Sequence, residues 1–292
     1  MQHLIETTSL SSKQIDDILN DAKKFKAQKP IALLRDRLLI TLFFENSTRT
    51  RSSFEVAAKR LGASVVHLDP SKSSTNKGET IEDTFANLCA MEPDGVIIRH
   101  SQSDTPGQLA KMEMTSVINA GAGNYAHPTQ ALLDLFTLQE YFGDVRGKTI
   151  TIVGDIVSSR VASSGIRLLT RMGMNVILVA PKPFMPPQSE LPQYETLEEA
   201  LDQTDAVMSL RAQLERHTSV IFDNYEEYSR HYCITPERLG SRDILILHPG
   251  PVMRNIDISD EILDDPRCKV LEQVKNGVFV RMAILKHLLL DS

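Results

Sequence analysis

The run Ser47-Thr48-Arg49-Thr50-Arg51-Ser52 puts four hydroxyls and two guanidiniums on six consecutive residues. Hydroxyls donate to oxyanions, and a guanidinium presents a planar fork matched to phosphate oxygens. The run follows an apolar stretch, 38–44, that reads as a buried strand. It precedes Phe54, Ala57, Ala58 and Leu61, whose spacing is that of one helix face. At a strand-to-helix junction the free backbone N–H groups and the helix dipole already favour negative charge. The residues therefore predict an anion socket, with phosphate as the anion it fits.

The elements that must carry this socket recur along the chain. Short apolar runs predict strands at 38–44, 64–69, 95–99, 116–119, 149–153, 175–180, 205–210 and 243–247, with helical patterns at 81–91, 129–142, 159–172 and 197–203 between them. Parallel α/β sheets bind ligands beyond the carboxyl ends of their strands. Those ends carry Arg99 and His100, the glycine-rich 120–123 leading to His127-Pro128-Thr129-Gln130, Gly154-Asp155 with Arg160 in the next helix, Arg211 and Gln213 followed by Glu215 and Arg216, and His248-Pro249-Gly250-Pro251. Each alone has an ordinary reading: a solvated arginine, a helix-start histidine, a strand-to-helix turn. Gly154-Asp155 lacks the G-x-G-x-x-G spacing of a dinucleotide site. Repetition at the same strand end in both halves is what points to a ligand.

Strand–helix alternation predicts the α/β class, with two doubly wound parallel-sheet domains joined by a helix and a C-terminal helix packing back. The expected boundaries are 1–128, a linking helix 129–142, and 143–277. The helix 278–292 is expected to cover the first domain. Among 292 residues, 41% are hydrophobic and 24% charged, and the net charge is −6. That balance excludes a general nucleic-acid or anionic-membrane binder. No apolar run approaches the roughly 18 residues of a membrane span, and residues 1–15 lack a signal-peptide pattern, so a cytoplasmic location is expected. Cys89, Cys233 and Cys268 are too scattered for a disulfide framework or a zinc site and are expected to be buried, reduced thiols. No His/Cys/Asp cluster has metal-ligand spacing, so neither metal nor cofactor is expected.

Residues 43–51, Lys77-Gly78-Glu79-Thr80, Arg99-His100, His127-Pro128-Thr129-Gln130 and Arg211-Ala212-Gln213 resemble the carbamoyltransferases, in the family's order and over nearly the whole chain. The Ser-Thr-Arg-Thr-Arg element is shared by the aspartate- and ornithine-specific branches. His248-Pro249-Gly250-Pro251 points to the aspartate branch, because the ornithine branch usually carries Cys-Leu-Pro there and no cysteine of this chain does. Electrostatics agree: aspartate brings a second carboxylate, which wants cations, and Arg160, Arg211 and Gln213 are donors. Asp155 is the one acid nearby, which leaves ornithine or another amine open as acceptor. A non-catalytic anion-binding subunit is a further alternative, opposed by the completeness of the residue set.

The resemblance implies carbamoyl transfer from carbamoyl phosphate to the α-amino group of L-aspartate. It implies that Ser47, Thr48, Arg49, Thr50 and Arg99 hold the phosphate. Thr50, Arg99 and His127 would aim donors at the carbamoyl oxygen, and Gln130 would hold the carbamoyl NH₂. Ser73 and Lys77, on the loop 71–80, are implied to reach a neighbouring subunit's site, with Asn76 standing where the family often has a second lysine. A homotrimer with shared active sites follows. Arg160, Arg211, Gln213, Lys77 and the carbonyls of Gly250 and Pro251 are implied for aspartate, with Gly250–Pro251 favoured as a cis bond. Glu45 is implied to bridge to Arg160 and Arg216 on domain closure. The chain reads as a stand-alone catalytic chain, and among regulatory chains, a separate dihydroorotase or no such partner the sequence does not choose.

Overall fold

The computed structural model describes residues 2–28, 32–68, 78–214 and 221–290. It divides into two units, Met1–Phe136 with Val274–Ser292, and Thr137–Gln273.

In the first unit the chain runs through α1 (Ser12–Ala27), β1 (Leu38–Phe43), α2 (Thr48–Arg60), β2 (Ser64–Leu68), α3 (Ile81–Cys89), β3 (Gly95–His100), α4 (Thr105–Ala110), β4 (Ser116–Ala122) and the start of α5 (Pro128–Phe142). The strands pair in parallel in the order β2-β1-β3-β4. Ile40, Leu42, Val96, Ile98 and Val117 pack with Phe85 and Leu88 of α3 and with Leu109 of α4. The alternate residues Leu39, Ile97 and Ile118 are equally buried. Both sheet faces are covered, which is why these strands read as continuous apolar runs rather than as alternation. Helix α1, absent from the expected elements, opens with a capping box between Ser11 and Gln14.

The second unit holds β5 (Thr149–Val153), α6 (Arg160–Arg171), β6 (Asn175–Val179), β7 (Gln193–Tyr194), α7 (Glu198–Leu201), β8 (Ala206–Ser209), α8 (Tyr225–Tyr232), α9 (Pro236–Leu239), β9 (Leu245–Leu247) and α10 (Asp260–Leu263). Its parallel sheet has the order β7-β6-β5-β8-β9. The edge strand β7 was not expected, because two residues, Gln193 and Tyr194, show no periodicity.

The last helix, α11 (Val270–Leu289), begins eight residues before the expected 278, since Glu272, Gln273, Lys275, Asn276 and Gly277 break up the apolar pattern of its first turns. From Val274 onward it belongs to the first unit. Lys286 Nζ and His287 Nε2 meet Asp21 Oδ2 of α1 at 2.6 and 3.1 Å, and Lys26 Nζ donates to Asn276 Oδ1 at 2.8 Å. The C-terminal helix thus packs back on the first unit.

The three cysteines are free thiols, but only Cys233 is fully buried. Cys89 and Cys268 are half-buried, correcting the expectation for both. Each lies next to an element end, Cys89 at the last residue of α3 and Cys268 just before α11, where cover by neighbours is incomplete. Among the described residues no helix is long and apolar enough to cross a membrane.

Candidate active site

In each sheet the strand order reverses direction about one strand. In the first unit β2 and β3 flank β1, so the switch lies between β1 and β3; in the second it lies between β5 and β8. Doubly wound sheets open a crevice at such a point, beyond the carboxyl ends of the two strands. The start of α2 and Arg99 lie beyond β1 and β3, and Asp155, Arg160, Arg211 and Gln213 beyond β5 and β8, whereas His127 and Gln130 follow β4 and Gly250 and Pro251 follow β9.

In the first unit, β1 ends at Phe43 and α2 starts at Thr48, with Ser47 as its N-cap. The Ser47 hydroxyl makes no capping hydrogen bond, and the first turn of α2 holds no acidic residue. Instead it holds Arg49, with Arg51 just behind. Cations at the positive end of a helix dipole oppose the usual preference. An anion resolves the conflict, taking the free N–H groups and the guanidinium together. Thr50 is buried, whereas Thr48 and Arg49 reach the surface. Desolvation lowers the Arg49 pKa from its ordinary value, which still leaves it charged.

Across the switch, Arg99 is the register partner of Phe43. Its Nη1 donates to the Ala120 carbonyl at 3.3 Å, and its Nε lies 3.3 Å from Glu45 Oε2. The β3–β4 register shifts between Ile98 and His100, which re-aims the residues at the strand's end. Phe44 packs edge-on against the His100 ring at 4.8 Å, and burial lowers the His100 pKa. His127 is buried just before Pro128, the first residue of α5. Its carbonyl accepts from Gln130 N–H at 3.0 Å, so His127, Thr129 and Gln130 are presented by one helix start. Gln130 Nε2 donates to Asp134 Oδ1 at 2.9 Å.

In the second unit, Gly154 follows β5 with φ +119°, and a Cβ there would lie 3.0 Å from the Leu210 carbonyl oxygen. Only glycine lets β5 turn this close to the end of β8. The buried Asp155 carboxylate accepts Ser158 N–H at 3.2 Å, and Ser159 caps α6 through Ala162 N–H at 3.2 Å. This places Arg160 as the first residue of α6, largely buried. Arg211 and Gln213, after β8, are half-buried on either side of Ala212. Ala212 N–H donates to Asp257 Oδ1 at 3.2 Å. After β9, His248 leads to Gly250, with φ +72°, and the Gly250–Pro251 peptide is cis.

Ser73, Lys77 and Arg216 lie outside the described residues. Asp134, Asp257 and Arg281 escaped the sequence reading although each is buried against candidate site residues or their neighbours. Asp134 had a readable signal, its position four residues after Gln130 on a predicted helix. Asp257 and Arg281 meet their partners only through the fold. Among the described residues no group of three metal-ligating side chains occurs.

The family model described as the carbamoyl-P binding domain of aspartate/ornithine carbamoyltransferase matches residues 2–140, and that described as the Asp/Orn binding domain matches residues 146–288. The chain is 78% identical to the aspartate carbamoyltransferase catalytic subunit of Sulfurovum sp., over 100% of this chain and 99% of the relative. It superposes on the catalytic subunit of M. jannaschii aspartate transcarbamoylase with a TM-score of 0.89, at 33% identity, covering 100% of this chain and 99% of the other. Aspartate transcarbamoylase from Trypanosoma cruzi, in complex with N-(phosphonacetyl)-L-aspartic acid, aligns with a TM-score of 0.88 at 30% identity, covering 97% of this chain and 94% of the other. The two switch-point clusters thus lie on a chain matched by both family domains in order, and this chain belongs to the aspartate/ornithine carbamoyltransferase family, among the aspartate carbamoyltransferase catalytic subunits.

Proposed function

We propose that the chain transfers the carbamoyl group of carbamoyl phosphate to the α-amino group of L-aspartate, giving N-carbamoyl-L-aspartate and phosphate, a step in building pyrimidines. The observation that carries this reading is the pairing of an acid-free, arginine-bearing start of α2 in the first unit with Arg160 and Arg211 at the switch point of the second. Both substrates are anions, and each unit offers a separate set of cations.

Ser47, Thr48, Arg49, Thr50 and Arg99 hold the phosphate. Thr50, Arg99 and His127 donate to the carbamoyl oxygen, on which negative charge grows as the amine attacks. Removing one such donor typically costs about 3 kcal/mol, roughly a hundredfold in rate. Gln130 accepts from the carbamoyl NH₂. Arg160, Arg211 and Gln213 take aspartate's carboxylates, and the Gly250 and Pro251 carbonyls accept from its amine. The amine nitrogen bonds to the carbamoyl carbon, the carbon–oxygen bond to phosphate breaks, and the amine proton leaves with the phosphate. Orientation and electrostatics supply the acceleration, with no side chain needed as general base.

Three further parts belong to the same proposal. Ser73 and Lys77 act in a neighbouring subunit's site, so the working unit is a homotrimer. Glu45 serves closure together with Arg160 and Arg216. The enzyme works in the cytoplasm, a compartment that suits its three free thiols.

The test is acceptor choice. With carbamoyl phosphate, the purified chain should form N-carbamoyl-L-aspartate. Turnover of ornithine without turnover of aspartate overturns the assignment. Mixing an inactive Arg49→Ala protein with an inactive Lys77→Ala protein, under subunit exchange, should restore activity if sites are shared; no recovery overturns sharing.

A further inference from the structure

Gln130 has two chemically opposite ends, and which one faces the substrate decides what it can recognise. Its Nε2 donates to Oδ1 of Asp134, 2.9 Å away and one turn further along α5. A carboxylate only accepts, so this contact fixes the amide: nitrogen toward Asp134, Oε1 on the other side. Asp134 is 1% exposed and Gln130 8% exposed, so water does not compete for the contact.

A buried carboxylate needs a counter-charge to stay ionised. The buried Arg281 of α11 is a cation whose charge and that of Asp134 act on each other. Arg281 is 3% exposed; Nη1 donates to Ser53 Oγ at 3.0 Å, Nη2 donates to Thr129 Oγ1 at 3.2 Å, and the guanidinium lies over the Phe54 ring at 5.1 Å. Burial lowers its pKa to about 10 while the Asp134 charge works the other way, so it is a cation at neutral pH. Space for it comes from Gly277: a Cβ at that position would stand 2.6 Å from Arg281 Nη1. The guanidinium therefore grips α2, whose first turn carries the phosphate donors, and Thr129, the neighbour of Gln130.

We propose that Asp134, backed by Arg281, is a positioning residue that locks the Gln130 amide with Oε1 outward, so that the site selects a carbamoyl group over an acyl group of the same shape. This rests on the reading that carbamoyl phosphate is the donor substrate and that Gln130 meets its NH₂. With the amide reversed, two NH₂ groups would face each other. Acetyl phosphate, with a methyl in place of the NH₂, is indifferent to the flip.

The experiment compares the two ligands in Asp134→Asn, whose own amide can donate to Gln130 and reverse it. The KM for carbamoyl phosphate should rise about tenfold, the loss of roughly one hydrogen bond. The inhibition constant of acetyl phosphate should stay within about twofold, since it keeps the contacts of its phosphate and carbonyl oxygens and lacks only the NH₂ that Gln130 meets. In a Gln130→Ala background, Asp134→Asn should cause no additional loss. Equal weakening of both ligands, or a full additional loss in that background, overturns the proposal. Should Asp134→Asn fail to fold, Asp134→Glu keeps the charge beside Arg281, displaces the acceptor, and must show the same split between ligands. A wild-type chain without aspartate-dependent turnover of carbamoyl phosphate would sink the donor assignment itself; an active wild type with either adverse result sinks only the role of Asp134.

Discussion

His248 donates from Nε2 to Oδ2 of Asp257 at 3.1 Å, and neither side chain is exposed. The tautomer follows from the other ring nitrogen, since Nδ1 accepts Gly250 N–H at 2.8 Å and so carries no proton. Asp257 also accepts Met253 N–H on Oδ2 at 2.9 Å and Ala212 N–H on Oδ1 at 3.2 Å. One carboxylate thus ties the segment bearing Arg211 and Gln213 to the turn bearing Gly250 and Pro251. Asp257→Asn removes acceptor capacity without changing volume. The KM for aspartate should rise about tenfold or more, as expected when a buried acceptor is lost, while binding of carbamoyl phosphate, assigned to the other unit, stays near normal. Steady-state kinetics with each substrate varied in turn check this; unchanged aspartate kinetics refute it.

Arg49→Lys keeps the charge and loses the fork. Turnover should drop at least about tenfold, because a single ammonium cannot replace bidentate contact with a phosphate. The melting temperature should be unaltered, Arg49 being at the surface. Near-normal kcat and KM would show that α2 does not begin at the phosphate.

Asp21 joins α1 to α11, and its acid limb is predictable. Burial alone would raise its pKa, but hydrogen bonds from Lys286 and Lys24 outweigh burial and leave it below the ordinary 3.8. A carboxylate depressed in the folded state stabilises fully above its unfolded pKa and loses that contribution as pH falls through the folded one. Asp21→Asn should therefore destabilise by about 1–2 kcal/mol at pH 7. The gap to wild type should close on acidification below pH 3.8. Urea melts at several pH values give the comparison; a gap that is constant with pH would exclude the mechanism.

The thiols titrate in the opposite sense. Burial pushes Cys89 and Cys233 up to about 11 from 9.0. Thiolate is the reactive form, so the folded protein should resist iodoacetamide at pH 8 and label readily in denaturant. Between pH 9 and 11 the unfolded chain releases thiol protons that the folded chain keeps, so stability should decline with rising pH. Fast labelling of Cys233 in the folded protein would contradict its burial.

Legibility from sequence tracked the range of the interaction. The strand-to-helix junction at Ser47–Thr50 could be read because an apolar strand and an amphipathic helix flank it. The placement of Arg99, Arg160 and Arg211 at or beyond strand ends could be read because an apolar run before each marks its strand. Asp257 could not: its partners Ala212 and His248 come from two other loops, and nothing in Asn255-Ile256-Asp257-Ile258 distinguishes it from a surface acid. Arg281 gave no signal in the sequence, since its hydroxyl partners, Ser53 and Thr129, stand 228 and 152 residues away. The start of α11 was missed for a related reason. Gly277 looks like a helix stop until the guanidinium it accommodates is seen.

The chain leaves the first unit after Phe136 and re-enters it at Val274. Residues 137–273 are therefore an insertion in the topological sense, and the half that is translated earliest is the half that is completed last. On the ribosome β1 to β4 must wait, with the α11 berth beside α1 and Arg281's place above Phe54 empty, while the inserted unit is made. The nascent first unit accordingly passes the whole of that interval with the apolar surface that α11 covers still exposed.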